Sequence, residues 1–386
     1  MTDQPERRDA APYAAFRLNL EQQKKRAKER ASSTGVQLAK AQFEIANGMG
    51  FASWARLKGH IAAMDRERTA MSDSHPALDG DLRTLHLRCG SDLRQPLVEA
   101  GFNGDFLEHS FPYSSQIAAA HEGEEALRDT ANYERVVIWS EYDTWDQLTL
   151  LRFLGHYARH ARPRVLELIN VRQFPGNTRF IGLGQLPPEA LRLLWNERHA
   201  VTAAQLALGV KAWSALCAED PRALAVIATN PTLELPLLGP ALHRHLRQLP
   251  SLHNGLSLTE QLILQIASES PPSAPRSQNQ VFVLLNYERD PLPSNTDLMV
   301  HSLVQNMQRE ESRMLVRNQV GAEPGWNDTL EISPLGRQVL AGEVDWLSLT
   351  PPRRWVGGVA IGPGLRDWRW DETQREVVDL SSTGRT

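Results

Sequence analysis

Between residues 82 and 170 short apolar runs alternate with stretches of helical period, and few folds accommodate that rhythm. Residues 84–89, 105–111, 135–139 and 164–170 read as strands, and 92–100, 124–133 and 143–160 read as helices. The run Arg135-Val136-Val137-Ile138-Trp139 is the clearest, because it is apolar at consecutive positions, as a strand covered on both faces must be. A helix between successive strands gives the chain the length it needs to cross back and pair in parallel. The expected fold class is therefore α/β, with a Rossmann-like parallel sheet over residues 82–186.

The flanking segments read differently. Residues 1–66 predict a helical N-terminal module. Asn19 and Gln22 are placed to cap its first helix reciprocally, Gly35 separates a second helix, and Trp54, Leu57 and Ile61 share one stripe of a third. Residues 67–81, with Pro76 and Gly80, predict a linker. Residues 187–250 predict a helical connector, in which Thr202 and Gln205 form a capping box. Residues 251–386 predict a winged-helix-like C-terminal domain: helices, a Ser/Pro-rich loop at 270–280, another helix near 297–314, and short strands.

Composition narrows the class further. A chain of 386 residues has room for two or three domains, and 41% hydrophobic content supplies cores for them. Cys89 and Cys217 are too few to staple such a chain, which favours a reducing compartment. The first nine residues lack an apolar signal core, and no run approaches the ~20 apolar residues that cross a bilayer. The expectation is a cytoplasmic protein with no membrane partner. Residues 250–386 carry 12 basic and 17 acidic side chains, a poor match for phosphate backbones, so nucleic acid is not the expected partner.

Three stretches carry a family resemblance. LEQQKKRAKE at 20–29 with FASWARLKGHI at 51–61 resembles a short helical module found on several bacterial proteins. RVVIWSEYDTWDQLTLLRFL at 135–154 resembles the bacterial family catalogued as domain of unknown function 1835. GLSLTEQLILQIA at 255–267, SPLGRQVLAGEVDWL at 333–347, RRWVGGVAI at 353–361 and WRWD at 368–371 resemble its winged-helix-like companion. The resemblance implies an architecture and carries no catalytic residue.

Candidate chemistry gathers at two strand ends. In an open parallel sheet, ligands bind at the carboxyl ends of strands where strand order reverses. If the first and third strands are neighbours there, the turns after them bring together Ser91, Asp92, Ser140, Glu141, Asp143 and Asp146. Those carboxylates could bind a polar ligand, hold a divalent metal, or simply cap the helices that begin at Asp92 and Asp143. No G-x-x-x-x-G-K-[ST], G-x-G-x-x-G after the first strand, or G-x-S-x-G is present, so neither a cradled pyrophosphate nor a serine nucleophile is expected. Gly182-Leu183-Gly184 reads as a turn.

His156 and His160 are four apart on one helix, but a third ligand is lacking and no metal is assigned. The Arg/Trp-rich end, with Trp346, Trp355, Trp368 and Trp370 beside Arg353, Arg354, Arg366 and Arg369, has two readings. It is either a cation–π lattice sealing the last domain or an aromatic, cationic pocket for an acidic or planar ligand.

The leading functional expectation is a ligand-responsive or adaptor protein whose Rossmann-like domain binds a small polar or anionic ligand, with a protein partner as a further expectation and the cofactor unassigned. The alternatives are a metal-dependent enzyme built on the Asp/Glu cluster and a winged-helix transcriptional regulator.

Overall fold

A computed structural model describes residues 16–72, 77–109, 124–176, 180–230, 232–271, 273–293, 295–320 and 325–382. Three helices come first, α1 (Leu20–Thr34), α2 (Leu38–Gly48) and α3 (Trp54–Ser72). The alternating segment follows as β1 (Thr84–Cys89), α4 (Arg94–Glu99), β2 (Asp105–His109), α5 (Glu124–Asp129), β3 (Arg135–Glu141), α6 (Thr144–Arg159) and β4 (Val165–Val171). Next come α7 (Pro188–Trp195), β5 (His199–Ala200), α8 (Ala203–Leu216), α9 (Arg222–Thr229), α10 (Leu238–Leu246), α11 (Leu258–Ser268), α12 (Gln278–Leu284) and α13 (Asp297–Asn306). The chain ends with β6 (Leu315–Asn318), β7 (Thr329–Ile332), α14 (Pro334–Ala341), β8 (Arg354–Val356), β9 (Val359–Ile361), β10 (Trp368–Asp371) and β11 (Glu376–Asp379). Pro76 and Phe111 lie outside the described residues.

These elements form two compact units, one from residues 1–109, 128–141 and 161–201, the other from residues 110–127, 142–160 and 202–386. The first, here the sheet unit, carries a five-stranded sheet of order β2-β1-β3-β4-β5. β1 pairs in parallel with both β2 and β3, and β3 with β4. The chain leaves β1 for one neighbour and returns on the other side as β3, so strand order reverses between β1 and β3. Val136, Val137, Ile138 and Trp139 are all buried, as their unbroken apolar run requires. β5 pairs antiparallel with β4 through Glu167 and Leu168. Two residues offer no alternation to read, so the sheet extends beyond the expected limit at residue 186.

The buried pair His86 and Asp79 shows how the sheet unit satisfies polar groups in its interior. His86 Nδ1 accepts from the Trp139 indole N–H at 3.1 Å, which leaves Nε2 to face Asp79 at 2.9 Å. Asp79 also accepts from the backbone N–H groups of Asn103 and Gly104. Burial alone would raise the Asp79 carboxyl, but the His86 contact and these two donors hold it below the usual range.

The N-terminal module belongs to this unit. α3 continues to Ser72, past the expected end at residue 66, because Arg66-Glu67-Arg68 and Ala70-Met71 are good helix formers. Its own core is Ala46, Met49, Phe51, Leu57 and Ile61. α3 packs on α7, where the buried Glu189 takes Arg17 at 2.8 Å and Arg68 at 2.9 Å, and Arg192 takes Glu67 at 2.7 Å. Burial pushes the Glu189 carboxyl up, and the two guanidinium groups outweigh it, so it sits below its ordinary value.

The second, helical unit packs α6 against α8 and α10, and α9 against α10. Thr202/Gln205 and Ser257/Glu260 form the expected capping boxes on α8 and α11. α11, α12, α13 and the antiparallel β6–β7 hairpin follow, with Ser277 bridging to Thr329. Ile263, Ile266, Val281, Val300, Leu330 and Val339 form its core. Among the described residues no helix is long and apolar enough to cross a membrane.

Candidate functional site

Strand alternation in β1 sends Leu85 and Leu87 to one face and His86 and Arg88 to the other. The parallel register pairs Arg88 with Trp139. Glu141, two residues on, projects from the same face of β3 as Trp139. After Cys89 the chain turns at Gly90, whose φ of 84° lies in the left-handed region, and folds Asp92 back over the strand end.

The result is a three-residue ion cluster at the β1/β3 switch point. Arg88 Nε and Nη2 donate to the two carboxylate oxygens of Asp92, each at 3.1 Å, a bidentate fork. Nη2 also reaches Glu141 at 3.2 Å. The other oxygen of Glu141 accepts from the Leu183 backbone N–H. Side-chain exposure is 3% for Arg88 and 6% for Glu141 but 38% for Asp92, so one of the two acids faces solvent.

The segment 182–184 covers this cluster, and its glycines are there for proximity. A Cβ at Gly184 would lie 2.6 Å from Asp92 Oδ2, and one at Gly182 would lie 2.9 Å from Glu141 Oε1. Only glycine lets this backbone approach both carboxylates.

Of the six residues singled out from the sequence, Asp92 and Glu141 meet, through Arg88. Ser91 is exposed on the turn, and Ser140 points to the opposite face of β3 from Glu141. Asp143 and Asp146 belong to the helical unit, where the Asp143 carboxylate accepts from the Asp146 N–H at 3.0 Å as the N-cap of α6. Asp92, by contrast, caps nothing: α4 starts at Arg94 with Leu93 as its N-cap. A charge-assisted fork to a guanidinium is stronger than a cap bond to a backbone N–H, and the carboxylate goes where it binds best.

Sequence reasoning missed Arg88, Gly182, Leu183 and Gly184. Arg88 was findable: a lone arginine two residues after a histidine, inside an apolar strand, marks a polar face that must find partners.

The thiol of Cys217 is pushed up to about 11 by burial, which leaves it unreactive at neutral pH. In the helical unit the Arg/Trp-rich end divides. Arg366 and Arg222 stack on the Trp368 ring, and the buried Arg369 is held by Asp345 and Asp367, a lattice. Arg354 and Trp355 stand apart from it and border a cavity.

Neither a model of a known protein family nor a curated protein matches this chain.

Proposed function

We propose that the protein is a ligand-responsive cytoplasmic protein whose sheet unit binds a small anionic ligand at the β1/β3 switch point, with Arg88 as the receptor and Asp92 as its displaceable stand-in. One observation carries this reading. A buried arginine offers its fork to a carboxylate that is itself half-exposed and sits on a glycine-hinged turn. A ligand carboxylate or phosphate has the geometry to replace that carboxylate bond for bond. Withdrawal of Asp92 would then move the turn 90–93, which is how occupancy becomes a signal to a partner.

The cytoplasmic assignment rests on the thiol count. The regulator alternative is weaker because α13, in the place of a groove-reading helix, contains Asp297 and no lysine or arginine.

Isothermal titration with inorganic phosphate and malonate tests the reading on the full chain. Asp92→Ala should bind at least one of them ten-fold or more tightly than the wild type, and Arg88→Lys, which keeps charge but loses the fork, should weaken it. Cooperatively melting Asp92→Ala protein that binds neither anion would sink the proposal.

A further inference from the structure

The helical unit contains a cavity of about 300 Å³, bordered by Trp145 of α6, His245 at the end of α10, Met299 and Leu303 of α13, and Arg354 and Trp355 of β8. Its volume lies at the small end of ligand sites, enough for a one- or two-ring molecule.

Two polar side chains on its wall carry buried nitrogens that make no hydrogen bond. Arg354 Nη1 donates to the Gln248 carbonyl at 2.7 Å, but the buried Nη2 makes no hydrogen bond. The nearest carboxylate oxygen, on Glu260, is 4.0 Å away, beyond hydrogen-bond reach. Glu260 is also engaged elsewhere, accepting from the Ser257 N–H at 2.7 Å and the Trp346 indole at 3.2 Å. His245 is 3% exposed, and neither ring nitrogen has a partner. Burial pushes its pKa down to about 4, so at neutral pH it is an uncharged imidazole with one donor and one acceptor to offer.

Buried donors are normally satisfied by protein or by a bound molecule. A guanidinium with a free N–H matches a carboxylate oxygen. The indoles of Trp145 and Trp355 line the same cavity, and aromatic side chains pair well with planar rings. Met299 and Leu303 add apolar surface to the same wall.

We propose that this cavity binds a small aromatic carboxylate, with its carboxylate on Arg354 Nη2 and its ring against Trp145 and Trp355. The site is independent of the Arg88 cluster and differs from it in kind: an existing void is filled and no side chain is displaced.

Titration calorimetry of the full-length protein with 2-naphthoate and with its neutral amide tests this. Wild type should prefer the acid at least ten-fold. Arg354→Met should bind both equally. Ser302→Trp, at an exposed position of α13 that lines the cavity mouth, should block both while leaving the melting temperature unchanged. Arg88→Lys should bind the acid as wild type does. Equal binding of acid and amide by wild type, no binding of either, or a preference that survives Arg354→Met would each overturn the proposal.

Discussion

Two arginines close to strand ends meet burial in opposite ways. Arg88, on β1 inside the sheet, donates to two carboxylates, Asp92 on the following turn and Glu141 on β3. Arg354, on the three-residue strand β8, keeps one backbone acceptor and leaves Nη2 unbonded beside an open cavity. A buried charge is tolerated only when it is paired or hydrogen-bonded. At Arg88 the protein supplies the pairing itself, and a ligand there must compete with Asp92. At Arg354 the protein leaves part of the pairing to another molecule. A saturated cluster holds a fold together and yields only to a competitor, whereas an unsaturated wall beside a void is already shaped for an occupant.

The largest expected effect separates the two. Arg88→Met strands Glu141 in the interior and should cost about 3–5 kcal/mol in urea denaturation. Arg354→Met gives up one bond to a backbone carbonyl and a 4.0 Å approach to Glu260, which keeps its other donors, and should cost only about 1–2 kcal/mol. Equal losses for the two variants would break the contrast.

Acidification gives the next effect. The folded value of His245 lies below its unfolded value of about 6.5. Its stabilising contribution is therefore complete above pH ~6.5 and falls away as the pH drops toward 4, by up to about 3 kcal/mol, because only the unfolded chain takes up the proton. Asp79 and Glu189 in the sheet unit shift downward as carboxylates, so their contribution is present above their unfolded values near 4 and is lost only below that. His60 and His243 shift in the same direction as His245. The measurement is accordingly a difference: His245→Phe should flatten the stability profile between pH 6.5 and 4 relative to wild type. An unchanged slope would show that the imidazole is not held neutral.

The smallest effect sharpens the Arg88 side. Gly184→Ala places a Cβ against Asp92 Oδ2 and should loosen the fork, destabilising the protein by about 1–2 kcal/mol while strengthening phosphate binding. Destabilisation with no gain in binding would show that Asp92 does not guard the site.

Much of this was legible before any coordinates. The apolar run at 135–139 and its helical neighbours specified a parallel sheet, and the β1/β3 adjacency that the acidic turns required is present. Asp92 and Glu141 were read correctly as neighbours, yet the residue that joins them was not seen, because the partner of a strand side chain depends on register and register is a tertiary property. Capping, one of the roles the sequence left open for Asp92, is not the one it takes, because a local rule yields to the fork with Arg88. β5 was hidden by its length. The cavity was half legible in the Arg/Trp-rich end, but its walls come from α6, α10, α13 and β8, which no single window of sequence joins.

The clasp on Glu189 has a consequence for biosynthesis. Arg17 and Glu189 are separated by 172 positions in the chain, so the first helices leave the ribosome long before the carboxylate that secures them exists. Contacts of such long range close late and slowly. Until α7 emerges, Arg17 and Arg68 have no Glu189 to hold them, and the N-terminal helices must stand on their own small core of Ala46, Met49, Phe51, Leu57 and Ile61.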